Sequence, residues 1–227
     1  TFLSFHQAAG LPSVGLTAWQ CLNRMKLEPT DTILITGAAG GVGAIFIKML
    51  LARGITNFVA TAGNEVSINS LKEIGVKEDQ IVNYRSADFE KAALLKNNHR
   101  AFDFTVDLVG NQMAEFCGRV IKANGTYLDV TAFSTAASRE LLFNKGAVLV
   151  NISNYVYSLT NHHSYFSKGL AEIVRLLEEK LVTAPDVEVV GPLSVDTVER
   201  AHKMLRENQT RGRKLVMEVA NSTEAEF

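Results

Sequence analysis

The chain has 227 residues, of which 47% are hydrophobic and 21% charged, with 23 Lys/Arg against 24 Asp/Glu for a formal net charge of −1. This composition describes a globular chain with a sizeable core and excludes a disordered one. It also lacks the basic field that draws in nucleic acid and any apolar run long enough to cross a membrane. Two cysteines, Cys21 and Cys117, are too few for a disulfide framework or a four-thiolate zinc site. They are expected to be buried thiols. The first residues lack the basic-then-apolar order of a secretory leader, so a cytoplasmic protein is expected.

In chain order, residues 1–30 read as helical. The β-branched run Thr32–Thr36 predicts a first strand, and apolar residues at helical spacing over Gly41–Arg53 predict the helix after it. Phe58–Thr61 is the second strand, Ser67–Ile74 a short helix ended by Gly75, Gln80–Val82 a third strand and Asp88–Leu95 a helix. Phe102–Asp107 and Thr126–Val130 are strands flanking a helix over Gln112–Ile121, and Ala147–Val150 is a sixth strand. Strands alternating with helices imply a parallel sheet covered on both faces, an α/β doubly wound, Rossmann-type fold with its crevice at the carboxyl ends of the strands. Beyond it the pattern predicts a helix over 170–181, a strand over 187–190, a helix over 195–205 and a strand over 214–219. The expected divisions are therefore 1–30, 31–164, 165–220 and a polar tail at 221–227.

The sharpest signal is Thr36-Gly37-Ala38-Ala39-Gly40-Gly41-Val42-Gly43, placed between strand one and helix one. Bare backbone at Gly40 and Gly41 lets a pyrophosphate approach, and Gly43 lets the helix sit close to the sheet. The helix N-terminus adds free N–H groups and about half a positive charge. A phosphate loop of the nucleoside-triphosphatase kind is excluded, because no Gly-Lys-Ser/Thr follows. Strand two ends Thr61-Ala62-Gly63-Asn64, without the carboxylate that an NAD site places on the ribose. That leaves room for a 2′-phosphate, with Asn64, Ser67 and Tyr84 as donors and Arg85 as added charge; Glu65 is the argument for NAD. NADP is expected, with NAD the less favoured alternative.

The glycine pattern also fits short-chain dehydrogenases, but no tyrosine has a lysine four residues on: Asp88, Thr131, Leu159, Asn161 and Gly169 stand there instead. Along most of its length the chain instead resembles the zinc-independent medium-chain dehydrogenase/reductases, the quinone oxidoreductase-like branch. The stretches that carry the resemblance are Leu3–Pro12, Leu16–Trp19, Ile33–Gly43, Val82–Arg85, Asp107–Gly110, Ala201-His202 and Thr210–Val216. The resemblance implies NADPH-dependent reduction of quinones or α,β-unsaturated carbonyls (enones). It places the pyrophosphate on Gly40, Gly41, Val42 and Gly43, with Gly37 and Ala39 also expected to bind the cofactor, and Tyr84 near the adenosine phosphate. It puts Val109, Gly110, Thr131, Ala132, Phe133, Ile152, Ser153 and Thr17 around the ribose and nicotinamide. Many relatives have a lysine where Ser67 stands, a departure that counts against NADP.

The same resemblance implies an N-terminal β-rich catalytic domain that would precede Leu3, with residues 165–220 as its returning piece. On that reading this chain is a cofactor-binding portion of low turnover. No catalytic acid or base is assigned and no metal is expected. The competing reading is a nucleotide-binding module, a sensor or scaffold without chemistry. A homodimer paired through the open edge at 147–152 is expected. Asp107, at a strand end in the crevice, is expected to cap the following turn, and His162-His163 to be a loop pair rather than a metal site.

Overall fold

The computed structural model describes residues 3–219; the expected tail at 221–227 lies outside the described residues. Six strands form one parallel sheet: β1 (Ile33–Ile35), β2 (Phe58–Ala62), β3 (Ile81–Asn83), β4 (Phe102–Asp107), β5 (Ile121–Asp129) and β6 (Val148–Asn151), in the order β3-β2-β1-β4-β5-β6. The order reverses between β1 and β4, which opens the crevice that doubly wound sheets use for ligands. The helices are α1 (Phe5–Arg24), α2 (Gly41–Ala52), α3 (Glu65–Glu73), α4 (Phe89–Lys96), α5 (Gln112–Val120), α6 (Ala136–Asn144), α7 (Tyr155–Leu159), α8 (Ser164–Glu178) and α9 (Val195–Arg206). A second, two-stranded parallel sheet pairs β7 (Val187–Pro192) with β8 (Lys214–Glu218).

Both faces of the central strands are buried, which is why β1 and β2 read as apolar runs rather than alternations. Ile33 and Ile35 join one core with Phe58, Ala60 and the buried faces of α1, α2 and α8. Leu34 and Val59 point the other way, into a core with Ala93, Phe116, Cys117, Val120 and Tyr127. Truncating a wholly buried side chain such as Phe46 to Ala would cost about 3–5 kcal/mol. Cys21 and Cys117 are both buried, as expected, and burial pushes the Cys21 thiol up to about 12.

The helical start is explained by small residues as much as by apolar ones. α1 carries Leu11, Val14, Ala18, Cys21 and Leu22 on its buried side, and is capped by a reciprocal Ser4–Gln7 box. A Cβ at Gly15 would sit 2.9 Å from Ile173 Cδ1, and one at Gly169 of α8 2.6 Å from Leu16 Cδ2, so glycines let α1 and α8 pack tightly.

Several elements differ from the periodicity, among them the helix expected over 170–181, which runs from Ser164 to Glu178. α3 begins at Glu65 rather than Ser67, because Asn64 and Ser67 cap it reciprocally. β5 reaches back to Ile121 through an irregular stretch in which Asn124 takes φ +58°. α6 is an unforeseen crossover between β5 and β6; its marker is the Thr135–Ser138 capping box. Short α7 is likewise unforeseen. β6 is the open edge expected of it, with Val148 54% and Leu149 42% exposed.

Candidate functional site: a nucleotide cleft at the strand ends

The glycine loop forms as its spacing demands. Gly37 turns the chain out of β1 at φ +62°, and the Gly40 amide donates to the Gly37 carbonyl at 3.0 Å. A Cβ at Gly43 would lie 2.5 Å from the Ala38 carbonyl oxygen and 2.6 Å from that of Gly37; only glycine lets α2 start this close to the turn. No side chain caps α2, so its first amides keep the capacity to bind an anion.

The loop is one wall of a cavity of about 510 Å³. Gly37, Ala39, Gly40 and Gly41 line it together with the β2 end (Thr61–Asn64), Ser67 and Tyr84. The Tyr84 ring lies directly against Gly63, where a Cβ would enter its van der Waals surface. Glu65 and Arg85, weighed from sequence as ribose or phosphate contacts, do not line the cavity. Asn64 and Ser67 do, but they also serve each other. Ser67 Oγ donates to Asn64 at 2.9 Å and the Ser67 amide donates to Asn64 Oδ1 at 2.9 Å. The hydroxyl proton of Ser67 is thereby used within the cap, and the Asn64 backbone N–H donates to Ser67 Oγ, which leaves the side-chain Nδ2 of Asn64 as the donor of the pair.

The opposite wall comes from the far end of the chain, and sequence reasoning assigned it no role. Leu205, Asn208 and Thr210–Lys214 close the cavity. The turn fits because Gly212, at φ +81°, stands where a Cβ would be 2.5 Å from the Ala39 carbonyl oxygen. Arg213 pairs with Glu188 at 2.8 Å, and the Lys214 stem lies against Gly41. Arg211 is exposed, lines the cavity, and has no ion pair among the described residues. The signal for this wall was the basic run at 211–214, whose destination the sequence does not state.

The remaining expected residues fall into two groups along the same edge of the sheet. At the ends of β4 and β5, a Cβ at Gly37 would lie 3.0 Å from Val109 Cγ2, and one at Gly110 2.5 Å from Phe133 Cβ. The Asn111 amide donates to the Phe133 carbonyl at 2.8 Å. The Thr131 and Ala132 amides donate to Asp129 Oδ1 at 3.1 and 2.7 Å. Asp107 caps its turn as expected, accepting from the Val109 and Gly110 amides at 3.0 and 2.9 Å. After β6, the Ile152 amide donates to the Asp129 carbonyl at 2.8 Å, and Gln20 Nε2 of α1 to the Ser153 carbonyl at 3.1 Å. Thr17 Oγ1 accepts from Asn154 Nδ2 at 3.1 Å. Gly37, Ala39, Gly40, Gly41, Asn64, Ser67 and Tyr84 thus share one cavity, while Val42 and Gly43 lie behind it in the first turn of α2.

His162 and His163 stand at a helix start, and among the described residues no group of three or more His, Cys, Asp and Glu could hold a metal ion. No described helix is long and apolar enough to cross a membrane.

Comparison with known proteins agrees with this architecture. The highly reducing polyketide synthase ZEA2 of Gibberella zeae is 26% identical over 98% of this chain and 10% of its own length. A highly reducing polyketide synthase of Cladosporium cladosporioides is 26% identical over 98% of this chain and 9% of its own. The chain thus spans about a tenth of the length of these relatives. Among solved structures, the CurK enoyl reductase superposes with a TM-score of 0.77 at 19% identity, over 95% of this chain and 64% of that one. The Escherichia coli quinone oxidoreductase, solved in complex with NADPH, gives 0.81 at 22% identity over 94% and 66%. The family model described as "Zinc-binding dehydrogenase" matches residues 76–216. With that match covering more than half of a chain that has the six-stranded sheet and glycine turn its sequence resemblance anticipated, the chain belongs to the zinc-binding dehydrogenase family, within the medium-chain dehydrogenase/reductases.

Proposed function

We propose that this chain is the nucleotide-binding part of an NADPH-dependent reductase that delivers hydride to an α,β-unsaturated carbonyl group. The observation that carries the proposal is the cavity of about 510 Å³ between the glycine loop and the basic turn at 210–214. Its glycine wall has the bare backbone and uncapped helix start that a pyrophosphate needs. Its β2 end has no carboxylate to repel a 2′-phosphate, and Arg211 offers the cation that Ser67 does not.

In this reading Gly37, Ala39, Gly40, Gly41, Val42 and Gly43 hold the pyrophosphate, and Asn64, Tyr84 and Arg211 bind the adenosine phosphate, with Ser67 lining the pocket and orienting Asn64. Val109, Gly110, Thr131, Ala132, Phe133, Ile152, Ser153 and Thr17 flank the ribose and nicotinamide. The bound nucleotide supplies the hydride; the protein's part is to orient it and exclude water. The names of the reducing polyketide synthases and of the enoyl reductase support an enoyl acceptor, while that of the quinone oxidoreductase supports a quinone as the alternative. Residues 31–164 form the glycine-loop side of the nucleotide unit and 165–220 contribute its basic wall at 210–214. A second copy pairs along the exposed β6 edge.

A thermal-shift titration tests the reading. NADPH at about 100 times its dissociation constant should stabilise the chain by about 2.7 kcal/mol, or about 5–10 °C at this size. Equal or larger shifts with NADH would reverse the cofactor assignment, and no shift with either would remove the nucleotide site. Substrate class is read by comparing NADPH oxidation in the presence of an enoyl thioester and of a quinone.

A further inference from the structure

Asp107 is wholly buried, yet it forms no ion pair among the described residues. Its carboxylate accepts instead from neutral donors on three segments. Oδ1 takes the Thr36 hydroxyl at 2.7 Å and the amides of Val109 and Gly110 at 3.0 and 2.9 Å. Oδ2 takes the Tyr127 hydroxyl at 2.8 Å. Thr36 in turn accepts from the Leu108 amide at 3.2 Å. Burial first, and then the neighbouring Asp107 charge, push the Tyr127 phenol up, which keeps its proton in place to donate.

A buried charge without a cation is costly. An apolar side chain of similar size would avoid burying a charge but would leave the Thr36 and Tyr127 hydroxyls and the Val109 and Gly110 amides without their acceptor. What the carboxylate adds is direction: four charge-assisted hydrogen bonds that meet at one point. Thr36 is the residue from which the glycine loop springs. Val109 and Gly110 form the turn that touches Gly37 on one side and Phe133 on the other. Tyr127 anchors the group to β5, which pairs with β4 at Thr105↔Tyr127.

We propose that Asp107 is a positioning residue that locks the glycine loop of β1 to the turn after β4, and so sets the two halves of the nucleotide cleft in register. It touches neither the cavity wall at Asn64 and Tyr84 nor the basic turn. The proposal rests on the nicotinamide-nucleotide reading above, and the test separates the two.

Binding to the full chain is measured by calorimetry with two probes, NADPH and adenosine 2′-monophosphate, the second of which carries neither phosphate of the pyrophosphate. Asp107→Ala should weaken NADPH on the order of tenfold to a hundredfold and leave the monophosphate within about twofold. Asp107→Asn should bind NADPH within about threefold of the parent, because Oδ1 keeps its three donors while the amide nitrogen donates to the Tyr127 hydroxyl, which can also accept. Should Asp107→Ala fail to fold, Thr36→Val removes the Thr36 leg to Asp107 together with the Leu108 amide's bond to that hydroxyl, leaves the other three donors on the carboxylate, and must show the same selective loss. NADPH binding unchanged in Asp107→Ala or in Thr36→Val, or equal weakening of both probes, overturns the positioning role. A parent chain that binds neither probe overturns the nucleotide reading and this proposal with it; binding of both by the parent, without the selective loss, overturns this proposal alone.

Discussion

Replacing Gly212 by Ala tests how closely the C-terminal turn and the glycine loop depend on each other. Two penalties fall on that one methyl group. The backbone at Gly212 has φ +81°, a left-handed conformation that costs an L-residue about 1–2 kcal/mol. The new Cβ would also lie 2.5 Å from the Ala39 carbonyl oxygen, and relieving such overpacking costs about 1–3 kcal/mol more. Gly54 supplies the control. It has φ +71° but nothing within 4 Å of its Cβ position, so Gly54→Ala should meet the first penalty alone. At roughly 2–4 °C per kcal/mol for a chain of this size, Gly54→Ala should lower Tm by about 2–8 °C and Gly212→Ala by about 4–20 °C. The decisive readout is binding. Gly54→Ala should bind NADPH as the parent does, whereas Gly212→Ala, by prising Arg211 and Lys214 from the loop, should bind it more weakly. If the two variants lose equal stability and keep equal affinity, the turn does not brace the loop and the cavity between them is incidental.

Arg211→Ala should weaken NADPH by about tenfold and leave NADH unchanged, since a hydrogen bond to a charged group is worth about 1.5–3 kcal/mol and exposure of Arg211 places it at the low end; equal loss for both nucleotides would remove Arg211 from the 2′-phosphate. Leu149→Lys sets a charge on the exposed β6 edge, so sedimentation equilibrium should read a monomer where the parent sediments as a dimer; a parent that is already monomeric refutes the edge pairing. Burial acts to raise the Asp103 carboxyl, but hydrogen bonds from Lys122 and from the amide and hydroxyl of Thr32 outweigh it and hold it below the usual value. A depressed folded-state value means this contribution is complete above the unfolded aspartate pKa of about 3.9 and is lost as pH falls through the folded value. Melting curves below about pH 4 should therefore fall less steeply for Asp103→Asn than for the parent, and parallel curves would contradict the assignment.

Much of the protein is written locally. The six strands with four of their five crossovers, the glycine turn and the open β6 edge follow from runs of a few residues, because burial on both faces leaves apolar strands and a tight strand-to-helix turn needs bare backbone. Asp107 as a turn cap was legible for the same reason: its partners stand two and three residues on. Helix starts were less legible where a polar side chain rather than periodicity marks them. Asn64 moves α3 forward by two residues and Thr135 starts a helix whose apolar face is too short to announce itself. Only the tertiary structure decided which distant segments share the cleft. Packing of α1 against α2, α8 and the β7–β8 pair carries the chain end back, so that Gly212 meets Ala39 and Arg211 enters a cavity built by residues 37–84. Thr36 and Tyr127 reach one carboxylate because the parallel register stacks the ends of β1, β4 and β5 side by side. Neither meeting leaves a trace in the spacing of the residues, because long-range contacts are set by which hydrophobic faces bury one another and not by any local preference of the chain.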